Sequence, residues 1–461
     1  MSESLKLSFE SETPPQQRGL CRFVSLLILT AAAGFSATSL VKVKPLLSAN
    51  DRSRWCTIWS LVERNTYQID EIIRQPGWDT IDKVRHEEHF YSSKPALLPT
   101  VVAGVYWSVK KVTGWNLLDD TERVTRLTLF LVNFIPWMAA LVVIALVAEH
   151  YARTDVARIY IVIVAAWGTL LTTFLVTLNN HTVAAASVMF AIYPAMRILA
   201  DNAHRPLLFG LAGFFAAFTC CAELPAALFG LALFTLLYRR APNSTLKFFV
   251  PAALIPLVAF FATNYLATGG WKPFYFDFGK EDSVYEYYDR SQPSYWMNPQ
   301  GIDANTEPPL VYLLHCTIGH HGIFSLSPVF LLTILAWVKI RSWRQFPLRI
   351  FLWLGLGLTV AILGFYLTRT GNYNYGGHTS GLRWMFWLIP FWLVSMIPVL
   401  DEWGHRRWFQ FTAAGLLLVS IFSATYSLDN PWRHPWLFQL MEEQSWIDYS
   451  NPENPPTRSP L

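Results

Sequence analysis

The chain is short of charge. Only 15% of its 461 residues are Asp, Glu, Lys or Arg, against about 25% in soluble chains, which excludes an ordinary soluble enzyme. The two signs nearly cancel: 36 Lys and Arg against 32 Asp and Glu leave +4, too small an excess for a nucleic-acid partner. Cysteine is scarce and odd in number. Cys21, Cys56, Cys220, Cys221 and Cys316 cannot all pair, and most lie in or beside apolar runs, so they read as small buried hydrophobes and not as a disulfide framework. The first apolar run lacks a small-residue cleavage site and is expected to remain as an anchor. No repeat with a period of about 20 to 50 residues is visible, which argues against a solenoid.

What the chain has instead is apolar length. Hydrophobic residues make up 53%, with 20 Trp, 19 Tyr and 32 Phe, a composition suited to a chain with long membrane interfaces. A crossing of the hydrocarbon layer takes about 20 apolar residues. Runs of that kind stand near 23 to 43, 124 to 147, 157 to 178, 181 to 199, 206 to 222, 224 to 238, 247 to 267, 323 to 340, 349 to 367, 382 to 400 and 408 to 427. A shorter run, Pro95 to Val109, ends in Lys110 and Lys111. If it does not cross, Arg18, Arg22, Arg153, Arg158, Arg239, Arg240, Lys339, Arg341, Arg406 and Arg407 share one side, and the short loops at 179 to 181 and 222 to 224 on the other side carry no Lys or Arg. That is the positive-inside pattern.

The expected fold is therefore an all-α polytopic membrane protein of about eleven transmembrane helices. It comprises a cytoplasmic N-terminal segment 1–22, a transmembrane domain 23–427 with outer loops 44–122, 269–322 and 368–381, and an outer, poorly ordered, Pro-rich tail 428–461. The first outer loop is expected to form helices along the membrane surface, broken at Gln75-Pro76-Gly77. The second is dense in rings from Trp271 to Trp296, interleaved with Asp277, Glu281, Asp282, Glu286 and Asp289. It suits either carbohydrate stacking or an interfacial aromatic belt.

Polar groups at membrane depth are expensive and read as functional. Here they gather at the outer ends of the spans: Asp51 after the first, Lys94 before Pro95, Asn179, Asn180 and His181 between the third and fourth, and Glu223 in a tight junction. His315, His320 and His321 precede the eighth, and Gly376, Gly377, His378 and Arg383 lie before the tenth. Asp51 and Glu223 could equally be helix caps. His86-Glu87-Glu88-His89 does not have zinc-peptidase spacing and reads as a solvated turn.

The runs Asp51-Arg52-Ser53-Arg54-Trp55-Cys56-Thr57-Ile58 and Lys94-Pro95-Ala96-Leu97-Leu98 resemble the first outer loop of GT-C membrane glycosyltransferases. The likeness is to the branch of the protein O-mannosyltransferases and the lipid A aminoarabinose transferase, whose loop reads roughly D-E-x-R-Y-x-x-I and then K-P-P-L-L. Gly376-Gly377-His378-Thr379-Ser380-Gly381-Leu382-Arg383-Trp384 looks like a G-G-x-x-x-G-x-R-[YW] segment of related bacterial polytopic proteins. The resemblance implies an inverting, mannosyltransferase-like enzyme of the bacterial inner membrane with its active site facing the periplasm. Its donor would be a polyprenyl-phosphate sugar and its acceptor a glycan, lipid or protein. It implies Asp51 as the catalytic residue, which in some relatives also helps to hold a divalent metal, and Lys94 at the lipid phosphate. Arg52 replaces the acidic neighbour of the loop aspartate, and Asn180-His181 fall where many relatives carry a second acid; both departures weigh against a metal.

The chemistry agrees with that assignment. Displacing a phosphate from a sugar C1 by a hydroxyl needs a base and fixed positive charge on the leaving group. Asp51 suits the first, and Lys94, Arg383 and His321 suit the second, as lipid-phosphate ligands. Arg54, Asn180, His181, Glu223, His320 and His378 are the remaining candidates for substrate contact. The competing expectations are a transporter or flippase of lipid-linked precursors and an inactive scaffold of the same architecture.

Overall fold

A computed structural model describes residues 15–288, 293–370 and 374–450. Asp289, Gly371, Asn372, Tyr373, the first part of the 1–22 segment and the tail prolines Pro452, Pro455, Pro456 and Pro460 lie outside the described residues.

The chain is an all-α membrane protein. Seven helices among the described residues are long and apolar enough to cross a membrane: Arg18–Lys42, Thr121–Tyr151, Asn180–Leu199, Pro242–Thr268, Arg349–Leu367, Arg383–Trp403 and Arg407–Tyr426. Pro206–Ala222 and Pro328–Val338 are shorter apolar helices. The burial of these segments separates centre from rim. The most apolar window of Arg383–Trp403 is 89% buried and that of Asn180–Leu199 is 72%, against 17% for Arg18–Lys42. The first two are thus the core of the bundle, and the first helix presents Phe23, Leu26 and Leu27 outward, as a lipid-facing helix does.

In chain order the first half contains α1 (Pro15–Lys42), α2 (Ala49–Arg64), the hairpin β1 (Lys83–His86) and β2 (His89–Ser92), α3 (Leu97–Thr113) and α4 (Thr121–Leu129). A π turn at Phe130–Phe134 joins α4 to α5 (Ile135–Tyr151), and α6 (Asp155–Trp167), α7 (Asn180–Leu199), α8 (Pro206–Ala222) and α9 (Ala227–Arg240) follow. The pair α7 and α8 packs closely, and α8 also meets the long helix Pro242–Thr268. Gly213 allows that second approach: a Cβ there would stand 2.2 Å from the Phe249 carbonyl oxygen.

Three local expectations are corrected. The 157 to 178 run is not one helix. It stops at Trp167 and continues as a turn and a short 3-10 segment, Thr173–Val176. Gly168 ends it, and the threonines beyond give the backbone other partners: Thr172 donates to the Ala166 carbonyl at 2.9 Å and Thr173 to that of Ala424 at 2.7 Å. The first loop is helical in α2 and α3, but residues 83–92 pair as an antiparallel hairpin with Lys83 opposite Ser92. Glu87 and Glu88, both at positive φ (48° and 68°), form its two-residue turn, and Val84 and Tyr91 are buried.

The tail expected to be loose packs as far as residue 450. Trp436–Glu443 is a helix, and Trp432, Phe438 and Tyr449 are buried. Its aromatic content outweighs the Pro-rich composition, because burying rings of this size stabilises a segment far more than prolines loosen it. The aromatic loop caps the hairpin: Arg85 donates its backbone N–H to the Val284 carbonyl at 3.1 Å and Trp296 its indole N–H to that of Ile81 at 3.2 Å.

Candidate active site

The site begins with a cap. Ser48 accepts the Asp51 backbone N–H at 3.0 Å and starts α2, which leaves the Asp51 carboxylate free to turn inward. Its Oδ1 accepts the Leu178 backbone N–H at 3.1 Å. That N–H is available because the chain is not helical there. Asn133, in the π turn, donates to the carbonyls of Leu175 at 3.1 Å and Thr177 at 2.7 Å, and Asn179 donates to those of Phe174 and Thr177. Asn179 also caps α7 by accepting from Thr182 N–H. Asp51 is 2% exposed, and burial pushes its carboxyl up to about 6 against the opposing bonds from Thr177 and Leu178 and the Arg54 charge.

One helical turn on, Arg54 donates to the Asn50 carbonyl at 3.0 Å and to Asn180 Oδ1 at 2.5 Å. Asn180 passes the contact on, donating from Nδ2 to Glu223 Oε1 at 2.8 Å and to the Ala222 carbonyl at 3.0 Å. His181 Nδ1 bonds the same Glu223 oxygen. Its Nε2 accepts from Arg383 Nη1 at 2.8 Å. Arg383 also donates to the Gly376 carbonyl at 3.2 Å, and its guanidinium lies 5.1 Å from the Trp432 ring. Gly376 sits at φ +95°, a backbone conformation that glycine adopts without strain.

Lys94 pairs with Asp82 at 3.0 Å, and both lie within the electrostatic reach of Arg54 and Arg383. Burial pulls the Lys94 ammonium below its ordinary range, with Asp82 opposing. Lys94 opens onto a small cleft whose wall includes Ser92, Thr57, Tyr67, Asn264, Lys272 and Phe274. Asp51 is set behind it, linked through α2 by the 2.6 Å contact between Ser53 and Ser92 hydroxyls.

The folded chain thus brings together Asp51, Arg54, Lys94, Asn180, His181, Glu223 and Arg383. It does not bring His320 and His321 to them, and His378 reaches the set only through Asp303. His321 donates to the Thr379 carbonyl at 3.1 Å and faces His320 with its other nitrogen; the turn His315 to Gly322 folds those imidazoles toward the C-terminal segment. Asp82 was not visible in the sequence, because nothing local distinguishes Thr80-Ile81-Asp82-Lys83 from a solvated turn. Asp303 was missed likewise. It is bonded by Tyr295 at 3.1 Å and lies beside the Gly377 backbone.

The donor set does not fit a divalent cation. Among the described residues no three His, Cys, Asp or Glu side chains converge as a ligand set, and the local anions already face Arg54, Lys94 and Arg383. Arg54, Lys94 and Arg383 gather around Asp82, with Asp51 buried beside Arg54, an arrangement that suits an anionic ligand and a proton acceptor. Comparison of the chain with protein-family models and with curated proteins gave no match.

Proposed function

We propose that the chain is an inverting glycosyltransferase of the cell membrane, built as a GT-C-like bundle of about eleven passes. It moves a sugar from a polyprenyl-phosphate carrier to an acceptor hydroxyl on a glycan, lipid or protein, at the periplasmic face of a bacterial inner membrane. The observation that carries this reading is the burial of Asp51 beside Arg54, which in turn lies within electrostatic reach of Arg383 and Lys94.

The roles follow from charge. As the acceptor oxygen forms its bond to C1, Asp51 takes the hydroxyl proton. The C1–O bond to the phosphate breaks, its electron pair goes to the phosphate, and Lys94 and Arg383 hold the charge that develops there. Lys94 faces the cleft and is a compact point charge. Arg383 is a rigid fork kept in place by His181 and the Gly376 carbonyl, and such a fork matches phosphate oxygens. The apolar part of the cleft wall, with Ala96, Ala267, Pro273 and Phe274, suits a prenyl chain.

The test is a sugar-transfer assay with the purified protein and a polyprenyl-phosphate sugar. Asp51→Asn removes transfer and leaves a folded protein in the membrane. Full retained transfer takes Asp51 out of the mechanism.

A further inference from the structure

A second set of titratable groups lies between the Pro309–Thr317 helix, the 374–383 loop and the C-terminal segment, with His320, His321 and Tyr449 buried and Glu307 half-buried. Tyr449 Oη lies 2.6 Å from Glu307 Oε1 and 2.9 Å from His320 Nε2. His320 Nδ1 lies 2.5 Å from His321 Nδ1, and His321 Nε2 lies 3.1 Å from the Thr379 carbonyl oxygen. Tyr375 donates to the other Glu307 oxygen. The four groups form a continuous chain that ends on the loop carrying Arg383.

The chain fixes its own proton count. A carbonyl only accepts, so His321 carries hydrogen on Nε2. If both imidazoles are neutral and Glu307 is ionised, Tyr449 donates to Glu307 and His320 Nε2 must donate to Tyr449. Both facing Nδ1 atoms are then bare, and their 2.5 Å contact is repulsive. One additional proton repairs every contact. On Glu307 it lets the carboxyl donate to Tyr449, Tyr449 to His320, and His320 to His321. On either imidazole it reverses the sense of the intervening bonds.

We propose that Glu307, Tyr449, His320 and His321 share a single proton that locks the 374–383 loop, making Glu307 and His320 positioning residues for Arg383. The consequence for phosphate rests on the reading of Arg383 given above; the lock itself does not.

The surroundings place the proton on Glu307. His320 is stacked on His315 at 4.0 Å, with Tyr375 and Phe438 edge-on. His321 faces His434, which lies 4.3 Å from His378. Tyr312, Cys316 and Asn305 complete the titratable and polar neighbours of Glu307 and Tyr449. Burial holds His315, His320, His321 and His434 below the ordinary imidazole range and raises Glu307. A raised carboxyl contributes stability that is full at low pH and lost as pH climbs through its folded value. The loop therefore loosens on the alkaline side of the Glu307 titration.

Glu307→Gln mimics the protonated acid: its amide donates to Tyr449 and to Asn305, whose side-chain amide turns over from its present role as donor to that oxygen, and its carbonyl accepts from Tyr375. Full-length protein in detergent micelles is followed by hydrogen exchange of residues 374–383 and by binding of farnesyl monophosphate, each across pH. In the wild type, exchange speeds up and affinity falls roughly tenfold as pH rises, about the value of one lost charge-assisted contact. Both profiles flatten in Glu307→Gln, while Glu307→Ala exchanges fast at every pH. An unchanged pH dependence in Glu307→Gln overturns the proposal. Exchange that Gln flattens, in a protein that binds no farnesyl monophosphate at any pH, supports the lock and overturns the transfer reading instead.

Discussion

Arg383 donates from Nη1 to Nε2 of His181 at 2.8 Å, joining the start of one central helix to the start of another. A guanidinium only donates, so His181 Nε2 is bare and its Nδ1 carries the hydrogen toward Glu223. Glu223 then accepts from His181 and Asn180 on one oxygen. A single carboxylate orients an imidazole, an amide and, through them, two guanidiniums.

Removing that carboxylate is expected to be severe. Glu223→Ala strips buried partners from His181 and Asn180 and leaves Arg54 and Arg383 facing each other. Each buried donor left unpaired costs about 1 to 3 kcal/mol. A large drop in the thermal unfolding midpoint in detergent is expected, with Glu223→Gln recovering part of it; a midpoint unchanged in Glu223→Ala would show the network to be slack.

Asp51 sets two opposite pH effects. Its carboxyl titrates near 6 in the folded protein, above the ordinary 3.8. In its proposed role as base it works only when ionised, so transfer is expected to rise with pH through about 6. Stability runs the other way. The raised value favours the protonated folded state, and that contribution is full below the ordinary carboxyl value and lost as pH climbs through about 6. Asp51→Asn, which can still accept the Leu178 N–H, is expected to be more stable than the wild type at pH 7 to 8 and no more stable at pH 3. Thermal melts at the two pH values decide this, and equal gains at both would remove the ionised carboxyl as the cause.

Lys94→Gln leaves Asp82 without its 3.0 Å partner and the cleft without its inner charge. The expected effect is on the lipid donor: KM rises by about tenfold to a hundredfold, the range for one hydrogen bond to a charged group, with a smaller change in kcat. Adding Asp82→Asn to Lys94→Gln recovers stability without recovering KM. Steady-state kinetics at varied donor concentration reads both, and an unchanged KM would place the phosphate elsewhere.

Orientation is accessible at the hairpin turn. Ser92 is 7% exposed and bonded to Ser53, so a thiol there would be shielded from both sides. Glu87, exposed at the turn, is the better probe, and four of the five native cysteines are buried. Glu87→Cys is expected to react with a membrane-impermeant maleimide added from the periplasmic side. Labelling only from the cytoplasmic side would invert the topology.

Most of the helices were legible because long apolar runs and scarce charges are local properties of the chain. Asp51, Lys94, Asn180, His181, Glu223 and Arg383 stood out for a related reason, since a polar side chain beside an apolar run is conspicuous. Asp82 and Asp303 were not legible. Each sits in an ordinary polar stretch, and its weight comes from partners that only the fold supplies, Lys94 and the distant Arg383 for one and the Gly376-Gly377 turn for the other. The break after Trp167 was hidden as well, because threonine hydroxyls that satisfy the backbone look apolar enough to extend a span.

The sequence by itself determined that this chain is a helical membrane protein and that its polar residues collect at the ends of its helices. Hydrophobic burial and the cost of unpaired charge in hydrocarbon require as much. Only the tertiary structure decided which of those residues meet. Arg54 finds Asn180, His181 finds Arg383, and the histidines of 315–321 turn away toward Glu307 and Tyr449. Hydrogen bonds act over about 3 Å, and no pattern of spacing along a chain fixes distances of that size between segments a hundred or more residues apart.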